Sequence, residues 1–218
     1  MTNEGIDPGW CQDVLSQELK SVKDGERIDD LQREGYRIIQ KTDGFCFGMD
    51  AVLLSGYARV LAGEKVLDLG TGTGIIPILL AAKTPGSHFT GLEIQPEVAD
   101  MAGRSVLLNG LEERIQVHAM DLREAPARLG YEQYRLVVCN PPYGKAGGGM
   151  QNPDAALRTA RHEAAETDIA AICRAAGALL QNGGRFDLVF PAPRLLELLD
   201  ALRGARVEHK RILLVHPK

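Results

Sequence analysis

Asn140-Pro141-Pro142-Tyr143 directly follows the apolar run Leu136-Val137-Val138-Cys139, and no other tetrapeptide of the chain is as well suited to chemistry. Proline has no N–H for a ladder and keeps the residue before it extended, so a buried strand must stop here and leave the sheet at Asn140. One carboxamide, one proline-flanked carbonyl and one aromatic ring are thereby gathered at the carboxyl end of a strand, where open α/β sheets bind ligands. The Asn140 oxygen and the Pro141 carbonyl can each accept one N–H of a planar NH2, while Tyr143 lies against the ring that carries it. An ordinary loop with a Pro-Pro turn is the other reading of these four residues, and the residues upstream decide between the two.

Upstream, the run Lys65-Val66-Leu67-Asp68-Leu69 reads as a strand that enters Gly70-Thr71-Gly72-Thr73-Gly74 and then a helix from Ile75 to about Lys83. Glycines serve where backbone turns sharply and lies close to a ligand, and the N–H groups of a helix start favour acceptor or anionic groups. Pro77 fits the first helical turn, where its missing N–H costs nothing. A second strand, His88 to Ile94, carries Glu93 near its end. An acid about twenty residues past a glycine loop is placed to accept both hydroxyls of a ribose.

The same layout serves NAD and S-adenosylmethionine. A dinucleotide fingerprint wants its third small residue three positions after the second glycine, and Ile75 stands there. Asp68, inside the strand just ahead of the glycines, suits an ammonium group, which the methionine portion of S-adenosylmethionine supplies and a pyrophosphate does not. The helix Pro96 to about Leu108 stops at Asn109-Gly110, and a third strand, Ile115 to about His118, leads to Met120-Asp121-Leu122. Asp121 either accepts a hydrogen bond from an adenine amino group or caps the segment that starts at Arg123. The cofactor set so read is Phe47, Asp68, Gly70, Thr71, Gly72, Gly74, Glu93, Ile94, Asp121, Leu122 and Asn140, with Pro142, Tyr143, Lys145 and Arg161 on the substrate side.

Other elements must hold these residues in place. Residues 1–26 are polar and aperiodic, and 27–218 read as one domain opened by a lid or hairpin at about 27–60. Leu31, Tyr36, Ile38 and Ile39 around Glu34-Gly35 predict the hairpin. Asp50 is placed to cap a helix running to about Leu61, with Phe45 and Phe47 on the loop before it, either as core or closing over a ligand. Gly144-Lys145-Ala146-Gly147-Gly148-Gly149 is too glycine-rich for regular structure and reads as a flap beside the acceptor pocket. A helical pattern from about Asp154 to Leu180 stops at Asn182-Gly183-Gly184; it carries His162 and Glu163, adjacent residues that share no face and have no correctly spaced metal-ligand partner, so no metal is expected. A fifth strand from Arg185 to Phe190, a helix from Pro193 to Leu202 and a last strand within Arg206 to His216 complete the pattern.

Composition sets the class. The chain has 218 residues, 44% hydrophobic and 25% charged, and a formal net charge of −4, the balance of a globular protein rather than one that coats nucleic acid. Cys11, Cys46, Cys139 and Cys173 lack CxxC spacing and read as reduced thiols, which points to the cytoplasm. No apolar run approaches membrane-spanning length. Toward the end, Arg203, Arg206, Lys210, Arg211 and Lys218 outnumber the acid Glu208 and could face phosphates. The sequence gives no sign of oligomeric state.

Phe45-Cys46-Phe47-Gly48, Asp68-Leu69-Gly70-Thr71-Gly72-Thr73-Gly74, Asn140-Pro141-Pro142-Tyr143, Arg161-His162-Glu163 and Val215-His216-Pro217-Lys218 together resemble the bacterial valine-tRNA adenine N6-methyltransferase family. The resemblance spans about residue 27 to the end. It implies a class I methyltransferase fold, an α/β Rossmann-like and mostly parallel sheet of seven strands with helices on both faces. It further implies S-adenosylmethionine as cofactor, S-adenosylhomocysteine as its product, and an adenine of the tRNA anticodon loop as acceptor. Members of that family usually continue past this ending into a final antiparallel strand pair, whereas this sequence ends at Lys218. Within the same fold, a protein glutamine N5-methyltransferase of release factors carries the same tetrapeptide, and another RNA amino group is a further acceptor; a non-catalytic cofactor-binding module and a nucleotide-binding oxidoreductase fit less well.

Overall fold

The computed structural model describes residues 21–43, 46–142 and 168–216. The alternation expected near residue 30 is realised as an antiparallel hairpin, β1 (Glu26–Asp30) with β2 (Arg37–Lys41), paired from Glu26 opposite Lys41 to Asp30 opposite Arg37. Gly35, at φ 69°, makes the turn that the sequence placed there.

After α1 (Met49–Tyr57), strands alternate with helices: β3 (Lys65–Leu69), α2 (Ile75–Lys83), β4 (His88–Glu93), α3 (Pro96–Leu108), β5 (Ile115–Ala119), α4 (Ala125–Leu129), β6 (Tyr134–Cys139), α5 (Ile169–Leu179), β7 (Leu180–Leu188), a 3-10 turn Ala192–Arg194 and α6 (Leu195–Gly204). Strands β3 to β7 form one parallel sheet in the order β5-β4-β3-β6-β7. The chain steps outward from β3 through β4 to β5, then jumps back to lay β6 on the other side of β3. That reversal opens a crevice between the carboxyl ends of β3 and β6, the place where such sheets bind ligands.

Period-two alternation sorts the core into two layers. Val66, Leu136 and Val138 face α1, α2 and part of α3, whereas Leu67, Leu69, Val137 and Cys139 face α4, α5 and α6. Ile78 and Leu80 of α2 and Ile172 and Leu179 of α5 are essentially inaccessible, which fixes a helix on each face of the sheet. The hairpin is fastened to α3 by specific bonds. The Ile39 N–H donates to Ser105 Oγ (3.0 Å), the Arg37 N–H to Asn109 Oδ1 (2.8 Å), and Arg104 forks onto Glu26 at 2.6 and 2.7 Å. No helix of the described residues is long and apolar enough to cross a membrane.

Four expectations are corrected. Helix α1 is capped by Gly48, whose extended backbone needs no side chain, so Asp50 sits inside the first turn, and the helix ends at Tyr57. Asn182-Gly183-Gly184 does not end a helix: α5 stops at Leu179, and these residues form an irregularity in β7 between the pairs Tyr134–Leu180 and Leu136–Arg185. Strand β7 ends at Leu188, ahead of Phe190. Residues 206–216 form no strand; Ile212, Leu213, Leu214 and Val215 are 51 to 64% exposed. Consecutive apolar residues suit a strand covered on both faces; Val207 packs on the layer of α5 and α6, whereas Ile212 to Val215 belong to neither core cluster.

Candidate active site

Three glycines shape the loop after β3. Gly70, Gly72 and Gly74 have φ of 76°, 57° and 89°, left-handed values that other residues adopt only with strain. The sequence reading offered the N–H groups of this loop to a ligand, and the structure uses several of them internally. Gly70 and Thr71 both donate to the Leu92 carbonyl (2.9 and 2.8 Å), Gly74 donates to the Thr71 carbonyl (3.0 Å), and Gly72 donates to Glu93 Oε2 (3.1 Å). The loop is therefore lashed to the end of β4, and its glycines act through shape.

Glu93, 7% exposed, also accepts the Gln95 N–H at Oε1 (3.0 Å). Each carboxylate oxygen keeps lone-pair capacity after one bond, so both remain able to accept a hydroxyl. Ile94 follows in the open, 54% exposed, as an apolar surface beside that acid.

Asp68 is the most unusual group of the site. It is 1% exposed, and neither of its oxygens has a hydrogen-bond partner, nor does the buried Thr71 hydroxyl beside it. Burial pushes this carboxyl up to about 7, with the nearby Thr71 hydroxyl opposing the rise and the Glu93 charge adding to it. Buried polar atoms without partners are rare and point to a missing one, and a carboxylate with a hydroxyl suits a cationic donor. Thr71 is held by close packing: a Cβ on Gly91, in β4 beside Asp68, would fall 2.8 Å from its methyl and 2.9 Å from its hydroxyl.

Across the crevice, β6 pairs with β3 so that Cys139 lies opposite Leu69, and Gly70 and Asn140 are the residues that follow this last pair on the two strands. The Cys139 thiol donates to the Leu69 carbonyl (3.1 Å), and burial holds that thiol well above its usual range, so it stays protonated. Asn140 is half-buried, Pro141 buried and Pro142 exposed, as expected of a strand turning out of the sheet.

At the end of β5, Asp121 closes a turn and adds an ion pair; the helix cap expected for a segment from Arg123 is not formed, because the residue before α4 is Glu124. Asp121 accepts the Arg123 N–H (2.9 Å) and pairs with the Arg123 guanidinium, which holds its carboxyl below the usual carboxylate range. The turn it closes precedes α4, which starts at Ala125; Leu122 packs against the core layer of α4, α5 and α6. Phe47 packs half-buried against the opposite layer and donates its N–H to Gln40 Oε1 (2.9 Å), so its core reading is realised. Phe45, Tyr143, Lys145, Arg161, His162 and Glu163 lie outside the described residues. The ties from Gly72 to Glu93 and from Asp121 to Arg123 were missed by sequence reasoning; the first joins residues 21 apart, and only the D-x-R spacing hinted at the second.

Residues 50–204 match the family model described as "Methyltransferase small domain". Among curated proteins, a tRNA1(Val) (adenine(37)-N6)-methyltransferase of Porphyromonas gingivalis is 34% identical over 69% of this chain and 60% of its own length. One of Tolumonas auensis is 33% identical over 75% of this chain and 70% of its own length. The chain thus spans 60% of the length of the first curated relatives it matches. Among solved structures, TrmN from Thermus thermophilus aligns with a TM-score of 0.52 and 27% identity over 70% of this chain and 40% of its own. A methyltransferase complexed with SAH aligns with a TM-score of 0.59 at 14% identity, over 87% of this chain and 48% of its own, a likeness of fold. The sheet is the class I methyltransferase sheet, and by the match of residues 50–204 the chain belongs to the small-domain methyltransferase family.

Proposed function

We propose that this chain transfers a methyl group from S-adenosylmethionine to the N6 amino group of an adenine in a tRNA anticodon loop. The observation that carries the proposal is the juxtaposition of the glycine loop and Asn140 across the crevice between β3 and β6. The curated relatives named for this reaction support it.

The residues present fit the cofactor. Asp68 and Thr71, buried and without partners, would hold its ammonium group, Glu93 its ribose, Ile94 and Leu122 the flanks of its adenine, and Asp121 the adenine amino group. When bound it supplies an electrophilic methyl on a sulfonium. Asn140 Oδ1 and the Pro141 carbonyl accept the two N–H bonds of the acceptor amine and draw its nitrogen toward tetrahedral geometry, with the lone pair turned to the donor side. Alignment is the main catalytic contribution. No general base is needed before attack, because the amine becomes strongly acidic once alkylated and then loses its proton to solvent. Tyr143 is assigned to stacking on the base, with Pro142, Lys145 and Arg161 on the substrate side. A loop base leaves its stack at lower cost than a paired base, which favours RNA loops as substrate.

The test is labelled S-adenosylmethionine with total tRNA, total rRNA and a release factor in parallel, followed by nucleoside analysis. Label in tRNA as N6-methyladenosine is expected. Label in the release factor alone would replace this reading with the glutamine-directed one.

A further inference from the structure

Across the carboxyl ends of the strands, the groups assigned to the cofactor occupy β5, β4 and β3, and Asn140 stands at β6. The next position, the end of β7, therefore lies on the acceptor side. Leu188 pairs with Cys139, and the Val189 N–H donates to the Cys139 carbonyl (3.2 Å), so Phe190 leaves the sheet beside the strand that ends in Asn140. The Arg194 guanidinium lies over the Phe190 ring, 5.0 Å from its centroid, and forms a fork onto Glu197 in which Nε donates at 2.8 Å.

Arg194 occupies its position against local preference. It ends the 3-10 turn Ala192–Arg194, which runs directly into α6, and makes no side-chain cap bond there. A cation there opposes the helix dipole, and Glu197 in the first turn offsets that cost. Local rules broken in this way mark positions held for another purpose. A planar fork kept flat by an aromatic ring, 21% exposed and engaged by one carboxylate, is built to meet a phosphate oxygen pair.

On the reading that the acceptor is RNA, we infer that Arg194, carried on Phe190, binds a backbone phosphate of the acceptor strand and exchanges Glu197 for it. Methylation of anticodon stem-loop RNA by wild type, Arg194→Gln, Arg194→Lys and Glu197→Gln tests this, with thermal melting of each variant. Arg194→Gln should raise KM for RNA about tenfold, leave kcat and S-adenosylhomocysteine affinity within about twofold, and flatten log(kcat/KM) against log[salt] by about 0.7. Arg194→Lys should also raise KM but keep the wild-type salt slope, because the charge remains. Glu197→Gln should lower KM, since it removes the competing carboxylate. Arg128→Gln, in the last turn of α4 with its side chain 63% exposed, should change nothing. An unchanged KM and slope in Arg194→Gln overturns the inference, as does the same direction of change in Arg194→Gln and Glu197→Gln, the mark of a merely structural pair. If wild type labels a release factor and no RNA, the proposed function fails first and the inference falls with it.

Discussion

The Gly72 N–H donates to Glu93 Oε2 at 3.1 Å, so the acid assigned to the cofactor ribose also fixes the loop that shapes the cofactor crevice. Glu93 accepts the Gln95 N–H as well, and it bridges two backbone segments before any ligand arrives. Its substitution therefore acts twice, once on the ligand and once on the loop.

Glu93→Ala should weaken S-adenosylhomocysteine binding more than tenfold, because a charge-assisted bond contributes about 1.5 to 3 kcal/mol and the Gly72 tether is lost too. Glu93→Gln should be nearly as poor. An amide offers one acceptor oxygen, and its NH2 would face the N–H of either Gly72 or Gln95. Calorimetry on the three proteins decides; a Gln variant that binds like wild type would show that the bridge contributes little.

Asp68 predicts a pH dependence. Its carboxyl is raised to about 7 by burial, so the folded chain holds this proton more tightly than the unfolded chain does. Stability therefore falls as pH rises from about 4 through about 7 and is level above, a loss on the order of 4 kcal/mol. Asp68→Asn should abolish that slope and be more stable at pH 8 than wild type without ligand. Ligand affinity runs the other way. An ammonium group favours ionised Asp68, so S-adenosylhomocysteine binding should strengthen from pH 6 through about 7 and level off once Asp68 is ionised, until the ligand's own amino group loses its proton at higher pH. Denaturation and titration calorimetry across pH 5 to 9 measure both; wild type and Asp68→Asn with identical profiles would remove Asp68 from the ammonium site.

Gly91→Ala tests the packing behind the loop. This glycine has no positive φ, so its requirement comes from the Thr71 side chain, which a Cβ would meet at 2.8 Å. Overpacking of this kind costs about 1 to 3 kcal/mol, and cofactor affinity should drop with it because Thr71 belongs to the loop. Thr71→Ala in the same chain removes the two closest atoms and should recover part of the lost stability. No recovery in the double variant would place the defect elsewhere.

What the sequence revealed and what it concealed differ in physical kind. The end of β6 at Asn140, the glycine loop and the acid at the end of β4 were legible because proline, glycine and a strand-end carboxylate constrain backbone locally. The hairpin and the start and stop of α3 followed from periodicity and from Asn109-Gly110. The missing strand at 206–216 was not legible, since whether Ile212 to Val215 pair depends on an edge and a cover that composition does not report. Nor were the Arg123 pair that engages Asp121 or the ring under Arg194, which depend on side-chain direction. Asp68 was read correctly as an acid ahead of the glycines, but its burial without a partner is a property of the packed β3–β4 layer alone.

Asn140 separates alignment from binding. Its side chain is assigned to the acceptor amine rather than to affinity, so Asn140→Ala should lower kcat steeply, by at least about a hundredfold, while S-adenosylhomocysteine binding changes little. Asn140→Asp keeps an acceptor at the same place and should retain more activity than Ala, because the amine needs only an oxygen to receive its N–H. A general-base role would instead make the Asp variant as fast as wild type or faster, with a new rise in rate as the carboxyl ionises near pH 4 to 5. Single-turnover transfer to anticodon stem-loop RNA, followed across pH for all three proteins, distinguishes the two. Near wild-type kcat in Asn140→Ala would mean that the Pro141 carbonyl alone orients the amine, and the site would then have to be rebuilt around that carbonyl.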